Sequence, residues 1–586
     1  MTDDGYSAEA EPPHPPRTRD RLAMAACLSG ILIAIGAFAA RMDTLPAHPF
    51  SLHADDPSLP AMLEAVDITG LRIVGCLILA FSFSLGCLAL TTGSTFRRHT
   101  ALRALDMLSF VPVCGLAALG VPLVFGPSLL PFDARMAGEL LIDGVGAAAL
   151  SFPVASAVLR ARDTLPIPLM MVTQGFRLRA WPSFWRLHVP FVMPALAHAT
   201  VRAMPQTWTG LVLAEMVVEF HTLPVAQGLG AQAAAAMEHE DIARLGVLIG
   251  LTAVLVGLID HLLIRPFRRW SGRFEEHGRS IEAGLVRLLK RFAPTRLLFE
   301  GLTHLMEAAG TLPLGARPVA HKLSLSRNLS VLESVPWIAG LCGLALALFI
   351  GPSFHVLKTI GVILTACLAS VVALAALLAL NSLVWLPLSF WLAGRSKKIA
   401  TPLLAAARFL ILFPVFLLFP PIMTAAGPFS ALVPFLFFGF PSILLLRLSE
   451  SARLFPRSFL DVMRVYRIPP RLRWMRIILP GLRPAWIVGC RRASFWMWNA
   501  SIAAAVTVWG ERTFDGGFGI GSQVATALRD EDPLAGTCAL AAITFLAVLC
   551  DEGLRRTPGP GLAFQPDEDT SQRTQASVND LPPAAL

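Results

Sequence analysis

Runs of about 20 apolar residues recur along the whole chain, separated by polar segments, and each is long enough to cross a bilayer core as a helix. The pattern predicts spans at 22–40, 71–92, 107–126, 139–159, 191–217 and 243–264. After a polar interval it predicts 333–351, 358–381, 402–421, 429–447, 481–508 and 536–554. Helices are the default in lipid because they satisfy their own backbone hydrogen bonds. The expected fold is therefore an all-α integral membrane protein of about twelve transmembrane helices in two six-helix halves. The halves are 22–264 and 333–555, flanked by tails at 1–21 and 556–586 and joined by 265–332.

Composition agrees with a bilayer as the main partner. Of 586 residues 55% are hydrophobic and 15% charged, against roughly 25% charged in a typical soluble domain. The net charge of +9 falls between apolar runs rather than on a folded polar domain, which argues against nucleic-acid binding. Arg97, Arg98 and Arg103 lie in one inter-span loop, and Arg160, Arg162, Arg177, Arg179 and Arg186 in another. Arg395, Lys397 and Lys398 lie in a third. Acids gather instead at 42–70 and 218–242. By the positive-inside rule both termini and the 160–190 loop face the cytoplasm. Arg17, Arg19 and Arg21 precede the first run, as in an anchor that starts inside. The junction 265–332 holds twelve Lys/Arg and five Glu, and part of it, 281–299, has the apolar spacing of a surface helix.

The second half repeats the first at a shift of 290 residues. Pro190 and Pro194 match Pro480 and Pro484; Arg177 and Arg186 match Arg467 and Arg476; Arg202 and Trp208 match Arg492 and Trp498. One inserted residue then aligns Gln232 with Gln523 and Asp241 with Asp532. Two halves in the same orientation imply a parallel repeat, with a pathway between them.

The repeated loops read MVTQGFRLRAWPSFWRLHVP and DVMRVYRIPPRLRWMRIILP. They resemble the coupling loop of ABC importer permeases, whose pattern is Glu-Ala-Ala, three residues, Gly, nine residues, Ile-x-Leu-Pro. Thr173 and Asp461 fall in the Glu-Ala-Ala positions, Arg177 and Arg467 on the Gly, and Pro190 and Pro480 on the closing Pro. Beyond them, Trp208-Thr-Gly-Leu-Val-Leu-Ala-Glu215 and Gly228-Leu-Gly230 resemble the nitrate/sulfonate/taurine branch. In the second half Ala505 stands where that branch has Glu. The resemblance implies a permease subunit in a bacterial cytoplasmic membrane, taking a small anion from an extracytoplasmic substrate-binding protein. It also implies two ABC ATPase subunits docked on the loops at 166–190 and 456–480, which would place Thr173, Arg177, Arg186, Pro190, Asp461, Arg467, Arg476 and Pro480 at the docking surface. A fused ferric-iron or thiamine permease shares this layout. A secondary transporter driven by an ion gradient would leave the loops without a use.

Ionisable residues inside a membrane are costly and are functional candidates by default. Arg202 lies twelve residues beyond Pro190, roughly 18 Å at helical rise, and the repeat gives Arg492 the same depth. Guanidinium forks suit carboxylate, sulfonate or nitrate oxygens. Gln206, Trp208, Thr209, Trp496, Trp498 and Asn499 lie within two turns and could line the passage. The alternative is structural pairing of either arginine with Glu139, Asp143 or Glu215. The nine cysteines and thirteen histidines form no metal or redox spacing. No Gly-Lys dipeptide occurs, so the chain has no phosphate-binding loop of the G-x-x-x-x-G-K-[ST] type. No catalytic constellation stands out either. The chain is expected to be no enzyme and to bind no cofactor; ATP would be used by partner subunits.

Overall fold

In the computed structural model, residues 59–274 and 353–556 are described. The interruptions are short, the longest at 126–133, 423–439, 454–462 and 514–518. The expected spans at 22–40 and 333–351, both tails and most of the 265–332 junction lie outside the described residues. Among the described residues five helices are long and apolar enough to cross a membrane: Pro60–Thr91, Arg135–Asp163, Ile242–Phe274, Gly361–Ala393 and Leu534–Arg556. A sixth candidate, Phe96–Leu108 with Val113–Gly120, is bent by 77°.

The first part comprises α1 (Leu59–Thr91), α2 (Thr95–Leu108), α3 (Val113–Phe125), α4 (Ala134–Asp163), α5 (Val189–Phe220), α6 (Leu229–Glu238) and α7 (Ile242–Ile259). The second comprises α8 (Ser353–Ala393), α9 (Lys397–Leu412), α10 (Phe440–Arg453), α11 (Leu479–Val506), α12 (Ile520–Arg529) and α13 (Pro533–Arg556). In the first, α4 packs along both α1 and α5, and α6 lies on α5. In the second, α10 packs along both α8 and α11, and α12 lies on α11. Apolar residues on the outer helices, such as Leu71, Ile78, Leu364 and Leu383, are exposed, as a lipid-facing surface requires. The central helices α5 and α11 are more polar and are buried for most of their length.

Local geometry recurs at the spacing of the sequence repeat. A π-turn spans Phe184–His188 and another spans Trp474–Ile478, 290 residues on. The amide of Val189 reaches back five residues to the Phe184 carbonyl, and that of Leu479 to Trp474. The cause is the proline that follows each turn. Pro190 and Pro480 cannot donate, and their rings crowd the carbonyl four residues back, so the ladder widens. The start of α6 is capped by Thr69, which accepts from Leu229 N at 2.8 Å. The start of α12 is capped by Ser370, which accepts from Ile520 N at 2.9 Å. Gly230 lies against the Val212 backbone and Gly521 against that of Ser501, where a Cβ would collide. Both small helices thus approach their central helix through a glycine.

The run expected as one span at 107–126 is divided. Helix α2 ends at Leu108, and α3 starts at Val113 after the turn at Ser109–Pro112. Pro112 has no amide to continue the ladder. The redirected α3 packs against α11, α12 and α13, so the first part reaches into the second. The run at 402–421 is also divided, with α9 ending before Pro414 and a 3-10 turn at Val415–Leu418.

Candidate functional site: an arginine cleft between α5 and α11

On α5, positions 202, 206 and 209 share one face at helical spacing, as do 492, 496 and 499 on α11. Along both stripes exposure falls with distance from the π-turn. Arg202 is exposed, Gln206 half-buried and Thr209 buried; Arg492 and Trp496 are half-buried and Asn499 is buried. Beyond the stripe every α5 residue from 207 to 219 is buried. Trp208 and Trp498 are core residues, 1% and 2% exposed. Thr209 donates to Pro205 O of its own helix at 2.9 Å. Asn499 Oδ1 accepts from Cys114 N at 3.1 Å. That amide is free because it opens α3, where no preceding turn can accept it. The cleft is therefore open at the π-turn end and closed further in by the start of α3.

The arginines meet in this cleft. Arg202 and Arg447 are charged neighbours of Arg492, and Arg447 and Arg160 of Arg202. Among the described residues neither Arg202 nor Arg492 has a carboxylate within ion-pair distance; Arg202 Nε donates to His198 O at 3.3 Å. The flanking charges are matched elsewhere. Arg491 is held by both oxygens of Asp551 at 2.7 and 2.9 Å, and Arg160 by Asp106 at 2.5 Å. Arg447 lies 3.7 Å from Glu450, and Arg408 lies 3.8 Å from the same carboxylate. Arg447 sits six residues from the end of α10 and Arg160 three from the end of α4, about 9 and 5 Å at helical rise. The cluster thus lies in the half of the bundle nearer the π-turns.

Two of the three carboxylates expected as possible partners, Glu139 and Glu215, are committed to another residue, Arg72. Its Nη1 donates to Glu215 Oε1 at 2.7 Å and its Nη2 to Glu139 Oε2 at 2.6 Å. Thr69 Oγ1 lies 3.0 and 3.1 Å from the Glu215 oxygens, and Gly230 N donates to Oε2 at 2.8 Å. Glu215 thus binds the positive end of α6 while pairing with α1. Gly228 presses on the same carboxylate, and a Cβ there would overlap it. The Gly-Leu-Gly run therefore opens α6 over a buried ion network. Its partner Arg72 was visible in the sequence as a lone charge in the run 71–92. Arg447, by contrast, sits at the edge of an apolar run, where it is indistinguishable from a loop residue.

The segments before the π-turns carry exposed aromatic side chains. Phe176 is 76% exposed and Tyr466, 290 residues on, is 75% exposed. Met171, Val465, Leu472 and Met475 are also exposed. Arg186 and Arg476 point to solvent, while Pro190 and Pro480 are half-buried at the helix starts. Thr173, Arg177 and Asp461 lie outside the described residues. Arg467 adopts φ +45°, and Ile468 N donates to Met463 O at 3.2 Å, the closing bond of a left-handed helix end. That conformation favours glycine, which the coupling-loop pattern has at this position. His188 is the one titratable group of the π-turn beside Arg186. Burial, and then the nearby Arg162, lower its pKa from 6.5 to about 4.

No curated protein and no solved structure matches the chain. Residues 385–551, from within α8 to within α13, match the family model described as binding-protein-dependent transport system inner membrane component, which indicates the permease of an ABC importer.

Proposed function

We propose that the whole chain is a duplicated importer permease that carries a small anion of the nitrate, sulfonate or taurine kind inward between its two halves. Separate ATPase subunits would drive it from the segments at 166–190 and 456–480, and an extracytoplasmic binding protein would supply the anion. The observation that carries the anion reading is the meeting of Arg202 and Arg492 in a cleft without a paired carboxylate. Like charges held near one another repel, and an anion passing between the halves would offset that repulsion. The matched π-turns, capped small helices and glycine contacts support the duplication. Phe176 and Tyr466 would be the apolar centres of the two ATPase contacts, ringed by arginines. In this reading the cleft is open to the cytoplasm and closed outward at Asn499. Arg202→Gln and Arg492→Gln should each abolish uptake while leaving the amount of folded protein and bound ATPase unchanged. Normal uptake by either variant would refute the anion pathway.

A further inference from the structure

Resting on the transport between halves just proposed, we infer that a short hairpin after α11 is a one-sided latch, which holds the far end of the cleft shut and must leave α6 before that end opens. The hairpin pairs β1 (Val508–Trp509) with β2 (Arg512–Thr513), Val508 opposite Thr513 and Trp509 opposite Arg512. Helix α11 runs seven residues beyond Asn499 to Val506, about 10 Å at helical rise, so the hairpin lies at the end of the bundle opposite the π-turns. There it crosses to the first half. The Gly510 amide donates to Met237 O at 2.9 Å, a carbonyl in the last turn of α6, where the helical ladder runs out. Strand β1 packs on α6, and Trp509 is buried in the core that both halves share. Both sides of the contact are shaped for it. Asp241 N donates to Ala236 O at 2.9 Å and Glu240 takes a left-handed φ of +53°, a helix ending at which glycine is usual. Gly510 has φ +56°, and a Cβ there would overlap the Glu240 carboxylate. Glycine at 510 thus serves both the hairpin turn and the close approach of Glu240. The repeat sets the hairpin apart. Val506 corresponds to Met216, yet α5 continues to Phe220, so helix stands where the second half has β1 and Gly510. Among the described residues the first half therefore sends no matching hairpin back. The halves cannot part at this end while Gly510 is bonded to α6 and Trp509 is buried between them. The latch stands away from the arginine cleft, so it governs when the far end opens and leaves the choice of anion to the cleft.

The test locks the latch reversibly. A Cβ at 510 would lie 2.9 Å from Glu240 Cγ, so Glu240→Cys/Gly510→Cys brings two sulfurs within disulfide range. The native cysteines among the described residues are buried or half-buried, and the new bond is assigned by comparing linked peptides with those of the two single variants. The full chain, purified with the ATPase it retains, is reconstituted with its binding protein and assayed for uptake of labelled nitrate and of a labelled sulfonate. Oxidation should link the pair in the resting protein, abolish uptake and leave the bound ATPase unchanged. A reductant added to the same vesicles should restore uptake, which a misfolded variant could not do. Linked vesicles that transport at the wild-type rate would overturn the latch and leave the pathway standing. A pair that does not link at rest, or a loss of uptake that the reductant does not reverse, would also count against the latch. If wild-type uptake needs no ATP, the ATPase part of the proposed function falls, and the oxidised pair must still block whatever drives uptake. If the wild type takes up neither anion, pathway and latch fall together.

Discussion

The buried network at Arg72 offers a quantitative test of how the first half is held together. The Arg72 and Glu215 side chains are 6% and 1% exposed. Replacing Arg72 by Met keeps the volume but strands the Glu215 charge with only Thr69 and Gly230 N as partners. Breaking a buried pair from one side costs about 3–5 kcal/mol. Glu215→Leu leaves Arg72 with Glu139, which is 30% exposed, and orphans Gly230 N, so it should cost about 3 kcal/mol. The double variant removes both charges together. Glu139 can then hydrate, and the chief residual defect is the Gly230 amide, worth about 1–3 kcal/mol. The double variant should therefore be more stable than the sum of the singles by at least about 2 kcal/mol. The second half supplies a natural precedent. Three residues beyond its cap, Ser370, stands Ala373, and Ala505 stands in the place of Glu215, so the same architecture closes there without a charge at either position. Reversible unfolding in mixed micelles, read as a double-mutant cycle, measures the coupling. Additive losses would refute the network as one energetic unit.

Three further outcomes follow from the π-turns and the segments before them. Arg467→Gly relieves a left-handed φ and should stabilise by up to about 1 kcal/mol, the steric gain of removing Cβ exceeding the added chain entropy; a lower melting temperature would contradict the strain. Phe176→Ser and Tyr466→Ser change exposed side chains and should shift stability by no more than about 0.5 kcal/mol. Both should nevertheless reduce co-purification of the ATPase, and full retention would remove these residues from the docking surface. For His188 the folded pKa of about 4 lies below the ordinary 6.5, so the unfolded chain binds the extra proton between those values. Its contribution is complete above pH 6.5 and is lost as pH falls toward 4. His188→Gln should flatten stability across that window, and an unchanged pH profile would refute the assignment.

Apolar length found the long helices because burial in lipid is written directly into composition. Ten of the twelve expected spans coincide at least partly with described helices, while 22–40 and 333–351 lie outside the described residues. The breaks at Ser109–Pro112 and Pro414 were harder to see, because hydropathy continues through a proline that the hydrogen-bond ladder cannot follow. The matched spacing at Pro190 and Pro480 marked the starts of α5 and α11, since a proline constrains backbone wherever it stands. Depth along a helix picked out Arg202 and Arg492. It could not show that Trp208 and Trp498 turn into the core, nor that Asn499 bonds Cys114 across the bundle, since both depend on which helix packs alongside. Glu215 was visible as an intramembrane charge, but its partner Arg72 lies 143 residues away. Arg467 departs from the glycine of the coupling-loop pattern in residue type while keeping the left-handed backbone that glycine would favour.

The most direct test is ATP dependence of anion uptake. The chain is purified from its own host's membranes with whatever ATPase it retains and is reconstituted into vesicles with the host's extracytoplasmic binding-protein fraction outside. Uptake of labelled nitrate and of a labelled sulfonate is followed with and without internal ATP, in the wild type and in Arg202→Gln. The account predicts uptake that needs ATP and binding protein and disappears in Arg202→Gln. Uptake sustained by an imposed proton or sodium gradient without ATP, or unaffected by Arg202→Gln, would contradict it.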